Sequence, residues 1–195
     1  MSTHKAFAIC AVALLLASGC TAPQPAPQST TTRYGIGSTP SAAQVNAWNI
    51  DVTPDGAGLP AGSGSVAQGR ALFTQKCAAC HGATGTGGPG GTLVGGQGTL
   101  AMAKPLLTIG SFWPYATIVY DYVNRAMPHD KPQSLKPDEV YALAAFLLNQ
   151  NGVIGADAVM DAQSLPKVAM PNRNGFTQID PRPDVNGSRC MHDCK

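Results

Sequence analysis

The sequence predicts an all-α fold, and three observations carry that prediction. Three segments place apolar residues at helical spacing, no stretch alternates apolar and polar residues as a half-buried strand does, and the long connections are rich in glycine and proline. The first helix is expected from Ser65, a good N-cap, to about Ala79, with Val66, Leu72 and Phe73 on its buried side and Cys77 one turn on. A loop from Gly82 to Gly98 follows, in which glycine recurs at almost every second position. The middle helix is expected over 114–126, with Ile118, Val119, Tyr122 and Val123 as its apolar stripe. Pro137, Asp138 and Glu139 then open a third helix in the order that suits a helix start. Proline fills the first position, where the N–H lacks a partner anyway, and the acids sit in the first turn against the helix dipole. Val140, Leu143, Ala144 and Leu147 continue inward, and Gly152 ends the helix.

The chain has 195 residues, enough for a single domain once its ends are set aside. Residues 1–20 read as a bacterial signal peptide: His4 and Lys5 form the positive end, an apolar run follows, and Ser18 and Gly19 are small residues before Cys20. That ending resembles a lipoprotein signal, with Cys20 as the lipidated residue. Ordinary secretory cleavage nearby is the alternative, because Ala17 stands where leucine is more usual. Residues 21–64 are read as a flexible tether and N-terminal extension, since Pro, Gln, Ser and Thr dominate 21–32 and cannot bury enough surface to offset the entropy of ordering. The core domain is 65–151, and 152–195 is a proline-containing C-terminal strap. Pro166, Pro171, Pro181 and Pro183 exclude a long helix there, while Met160, Leu165, Val168, Met170 and Phe176 are too apolar for a solvated tail. A net charge of +2 provides no basic stripe for nucleic acid, and nothing after the signal is apolar and long enough to cross a bilayer, so membrane contact would come through the lipid anchor only.

The chemistry resides in residues 77–81, Cys-Ala-Ala-Cys-His. Two thiols at this spacing meet the two vinyl groups of a haem, and the histidine that follows ligates the iron. A helix ending in the motif, a glycine-rich loop after it, and then Met127-Pro128 before another helix distinguish this arrangement from a chance match or a zinc site. Cys77 and Cys80 are therefore read as the covalent haem c attachment, one haem in all, and His81 as an axial ligand. The glycine loop suits this, because its backbone can lie against a flat ligand where β-carbons would collide. A methionine opposite the histidine closes the iron to substrate and raises its potential, giving an electron carrier. Met127, stiffened by Pro128, is the expected second axial ligand, with Met102 as the main competitor and His129 a nearby nitrogen. Cys10 leaves with the signal peptide, so Cys190 and Cys194 remain as a pair that can form a disulfide if the backbone brings their α-carbons within range.

On C-A-A-C-H, Gly69, Phe73, R-A-M-P at 125–128 and Y-A-L-A-A-F at 141–146, residues 65–149 resemble the class I cytochromes c. That resemblance implies a crossing of first and last helices where Gly69 and Phe73 meet Phe146. Further motifs, G-G-Q-G-T-L at 95–100, G-S-F-W-P-Y-A-T at 110–117, M-P-N-R-N-G-F at 170–176 and D-P-R-P-D at 180–184, are similar to the cytochrome subunits of molybdenum sulfite and sulfane dehydrogenases of sulfur oxidation. The resemblance implies a periplasmic electron-transfer subunit, not itself an enzyme, that accepts electrons from such a dehydrogenase and passes them to a downstream cytochrome or oxidase. The family's proline before the apolar run is here Gly91-Thr92, which leaves Pro89 or Gly91 to supply the carbonyl that orients the axial histidine.

A general lipid-tethered carrier serving a terminal oxidase is the alternative function, and no cluster of acid, base or nucleophile suggests catalysis by the chain itself. Phe112, Trp113, Pro114 and Tyr115 are dense enough in aromatics to form a docking surface or to cover the haem edge. The signal predicts that haem-containing protein fractionates with membranes, resists a salt wash, and becomes soluble in Cys20→Ser. Fully soluble wild-type protein would leave only ordinary secretion.

Overall fold

A computed structural model describes residues 34–176. The signal region with Cys20, the 180–184 motif, Met191 and the Cys190–Cys194 pair lie outside the described residues. The chain divides into two units, Met1–Pro40 and Ser41–Lys195. Of the first, residues 34–40 are exposed and form no helix or strand.

The second unit is helical. It contains α1 (Ala42–Trp48), α2 (Val66–Lys76), the single turn α3 (Ala78–His81), α4 (Ala116–Ala126) and α5 (Pro137–Gln150). Helix α5 is the centre. Every side chain from Val140 to Leu148 is buried, so it is apolar all round rather than amphipathic, as a helix enclosed by neighbours must be. Its start follows the sequence signals, with Pro137 at N1 and the Glu139 side chain accepting from the Lys136 N–H at 2.8 Å.

Helix α2 crosses α5 at close range because neither offers bulk at the contact. A β-carbon on Gly69 would stand 1.9 Å from the Ala142 carbonyl oxygen and 2.7 Å from Phe146 Cβ, and the Phe73 and Phe146 rings pack with centroids 5.1 Å apart. Ser65 caps α2 as expected. Its hydroxyl accepts from the Gln68 N–H and the Gln68 side chain accepts from the Ser65 N–H, a reciprocal box that pairs two otherwise orphaned donors.

Several features differ from the sequence expectation. The first helix does not run unbroken to Ala79: Cys77, with φ −124° and ψ −34°, interrupts it, and α3 begins afresh at Ala78. The middle helix starts at Ala116, since Tyr115 is extended and lies beneath the Arg173 guanidinium, 4.9 Å from its ring centroid. On that helix Val119 and Val123 are buried as expected, but Tyr120 is buried beside them, whereas Ile118 is half-buried and Tyr122 is 48% exposed. The fold is also not free of strands. Residues Ser63–Ser65 (β1) pair antiparallel with Val159–Asp161 (β2), too short for an alternating pattern to register.

That pairing brings the C-terminal strap onto the body, where Met160, Leu165, Val168 and Met170 are buried, although Val159 and Phe176 remain exposed. The N-terminal extension is held as well, from Val52 onward. The Asp121 carboxylate accepts from the Val52 N–H at 3.0 Å and from Arg125 at 2.6 Å, and the Tyr141 hydroxyl donates to the Pro60 carbonyl at 2.8 Å. Helix α1 was not anticipated, although its Ser41/Gln44 capping box stands in the sequence; none of its residues is buried.

The crossing at Gly69 predicts that Gly69→Ala destabilises the protein by about 1–3 kcal/mol, as overpacked cores do. Urea unfolding of purified protein measures this, and an unchanged midpoint would show that α2 can move away at no cost.

Candidate functional site

Between the end of α2, the glycine loop, α5 and the segment after α4 lies an apolar cavity of about 500 Å³. Its size and lining suit a flat, largely apolar ligand. Cys77, Cys80 and His81 open onto it from α3 and its approach, Pro89, Gly90 and Leu93 from the loop, Leu143 and Leu147 from α5, and Val123 with Met127 from α4 and its C-terminal end. The break in helix at Cys77 places both cysteines and the histidine of the motif on this one cavity.

His81 is oriented by the loop. Its Nδ1 lies 3.1 Å from the Gly91 carbonyl oxygen, and because a carbonyl can only accept, Nδ1 is the donor of this bond and Nε2 is the ring nitrogen left for a metal. Of the two carbonyls the sequence left open, the one used is Gly91 rather than Pro89. The loop must approach closely to do this: a β-carbon on Gly90 would stand 2.8 Å from His81 Cε1. The free Nε2, two thiols at vinyl spacing and an apolar chamber fit a covalently held haem, with His81 as the nitrogen donor.

Met127 caps α4, its N–H bonded to the Val123 carbonyl at 3.1 Å, and its side chain is half-buried against the core. Among the other methionines, Met102 is 60% exposed and does not line the cavity, and Met160 and Met170 are buried in the core. His129 lies on the rim, exposed. Among the described methionines, Met127 is the one that the fold brings to the same chamber as His81.

Two electrostatic features border the chamber. Burial pushes the Cys77 thiol up to about 11, against the opposing pull of Lys76, so that in the bare chain it stays neutral at physiological pH. At the rim Lys76 pairs with Glu139 at 2.9 Å, tying the end of α2 to the start of α5. The Lys136 backbone N–H, followed by Lys76, holds the Glu139 carboxyl below its ordinary range.

The aromatic run 112–115 does not line the haem cavity. Phe112, Trp113, Pro114, Ile118 and Phe176 instead surround a second, shallow apolar depression, with Phe112 and Phe176 edge to face at 5.1 Å and Trp113 edge to face with Tyr122 at 5.8 Å. The strap fixes this region through Asn172, whose Nδ2 donates to the Phe112 carbonyl at 2.6 Å. So the two motifs 110–117 and 170–176 form one surface.

Sequence reasoning missed Asn151, which is buried at the end of α5 and bonded to the glycine loop. Its only signal was a polar residue at the predicted helix end. Among the described residues no group of three or more His, Cys, Asp or Glu could hold a separate metal ion.

Comparison with known proteins places this geometry. The family model for cytochrome c oxidase, cbb3-type, subunit III matches residues 64–147. The crystal structure of the sulfane dehydrogenase SoxCD from Paracoccus pantotrophus contains a chain 42% identical to this one, with a TM-score of 0.72, over 84% of this chain and 83% of that one. No curated protein matches.

Proposed function

Because the chain belongs to the class I cytochrome c family and binds haem c covalently as an electron-transfer module, we propose that it is the periplasmic cytochrome acceptor of a molybdenum-dependent dehydrogenase that oxidises sulfite or sulfane sulfur. The observation that carries this is the extent of the likeness to the SoxCD chain. A match over 84% of the sequence reaches well beyond the haem domain matched at 64–147 and into both flanking extensions. A general carrier needs only the haem domain. Extensions shared with a dehydrogenase chain suggest a common assembly.

In this reading Cys77 and Cys80 would hold the haem covalently, and His81 and Met127 would ligate its iron. The haem supplies one-electron chemistry at iron between ferrous and ferric states. The chain's own residues decide how that is used. The Gly91 carbonyl keeps the His81 ring from rotating and strengthens it as a donor, while Leu93, Val123, Leu143 and Leu147 exclude water from the chamber. With His81 and Met127 both given to the iron, no substrate would reach it, and specificity would reside in a docking surface.

The aromatic depression at Phe112, Trp113 and Phe176 is that surface. It shares α4 with the haem chamber, Ile118 and Tyr122 facing the aromatics while Val123 and Met127 face the cavity. The N-terminal signal and Cys20 support a periplasmic, lipid-anchored location. A second reading, a carrier to a terminal oxidase, has in its favour the oxidase-subunit description of the matching family.

Stopped-flow reduction of the ferric protein separates the two. Fast reduction is expected with the cognate dehydrogenase and its sulfur substrate, negligible reduction with sulfite alone, and about tenfold slower reduction in Trp113→Ala, as for loss of an aromatic interface anchor. Equal rates with unrelated reductases would favour the general carrier.

A further inference from the structure

The glycine-rich motif at 95–98, Gly110 and the end of α5 converge on one side chain. Asn151 is 6% exposed, and both ends of its amide are bonded: Oδ1 accepts from the Gly95 N–H at 3.0 Å, while Nδ2 donates to the Leu93 carbonyl at 3.2 Å and the Leu147 carbonyl at 2.9 Å. One donor faces the oxygen and two acceptors face the nitrogen, so a carboxylate or an isosteric leucine could not replace it. Gln97 adds a bond to the Asn151 carbonyl at 2.9 Å. Gly110 leaves the room. A β-carbon there would stand 2.4 Å from Asn151 Oδ1 and 2.6 Å from Gln97 Nε2.

What this nest holds is the loop that orients His81. Leu93 is anchored at both ends of its peptide unit, its N–H to the Gly85 carbonyl at 2.7 Å and its carbonyl to Asn151 and the Ile109 N–H at 3.3 Å. Two residues before it stands Gly91, whose carbonyl accepts from His81 Nδ1. Leu93 itself lines the haem chamber.

We propose that Asn151 is a positioning residue for the axial histidine: by pinning Leu93 and Gly95 to the end of α5, it fixes the Gly91 carbonyl against His81 Nδ1. This rests on the reading of His81 as the iron's nitrogen ligand. The buried polar cluster is thereby the outer support of a ligand, in the way that partners beyond the coordinating atoms set the orientation and donor strength of histidine ligands. Without Asn151 the Gly95 N–H would lose its partner and the Leu93 carbonyl would keep only the Ile109 N–H, so the loop would open locally without the domain unfolding.

The test is exchange of the His81 Nδ1 proton, followed by NMR in the holoprotein, together with the midpoint potential. In Asn151→Ala the proton should exchange at least about tenfold faster than in wild type, reflecting a more easily opened loop, and the potential should rise as the histidine becomes a weaker donor. Gly110→Ala, which crowds the same nest from the other side, should shift both readouts in the same directions and decides the matter if Asn151→Ala does not fold. Leu148→Ala, a buried α5 position outside the chamber, should lower stability and leave both unchanged. Wild-type exchange and potential in the Asn151 and Gly110 variants, or equal shifts in Leu148→Ala, would reduce Asn151 to a structural residue. Failure of the ligand reading is distinct: the wild-type His81 ring would then show no haem-induced displacement of its resonances.

Discussion

At the crossing of α2 and α5 the missing side chain of Gly69 lets the helix backbones meet, with the Ala142 carbonyl lying where a β-carbon would be. The rest of the molecule is laid out from that contact. Helix α2 ends at Lys76, so the depth of the crossing sets where Cys77, Cys80 and His81 emerge, and α5 supplies the opposite wall of the chamber through Leu143 and Leu147. The Phe73 and Phe146 rings pack beside the crossing, and the Lys76–Glu139 pair ties the end of α2 to the start of α5. The exposed ion pair adds little by itself, as surface pairs do, and the apolar contact does most of the holding.

The chamber shows the same division of labour. Its walls are mostly apolar and come from the helices together with Pro89, Gly90 and Leu93 of the loop, whereas the carbonyl that orients His81 comes from the loop, which is itself anchored by α5. Backbone carbonyls at Gly91 and Leu93 perform tasks that no side chain identity announces. The strap and the N-terminal extension are bound to the same helices, through β1 and β2, the Asp121 carboxylate, and Asn172 beneath the aromatic surface, so that they act as parts of the domain.

Much of this was legible in the sequence because it depends on local spacing. The thiol spacing and the adjacent histidine announce the attachment motif, Ser65 with Gln68 and Pro137 with the acids mark two helix starts, and Met127-Pro128 stands where a strap between helices would be. The misread parts depend on tertiary contact. Tyr120 is buried and Tyr122 exposed because α4 turns its second face toward Trp113, and the break at Cys77 has no counterpart in the helical periodicity. The β1–β2 pair joins residues almost a hundred positions apart through three-residue segments. Asn151 was invisible for the same reason, since its partners at 93 and 95 lie on a distant loop.

We propose that His81 and Met127 ligate one haem iron from the two sides of a single chamber, and the weak sulfur-to-iron absorption band of the ferric protein tests that pairing. Wild-type protein should show the band, and Met127→Ala should lose it and have a lower potential while keeping the haem attached. A band that survives in Met127→Ala and vanishes in Met102→Ala would overturn the pairing, because the exposed loop methionine would then have to reach the chamber that Met127 lines.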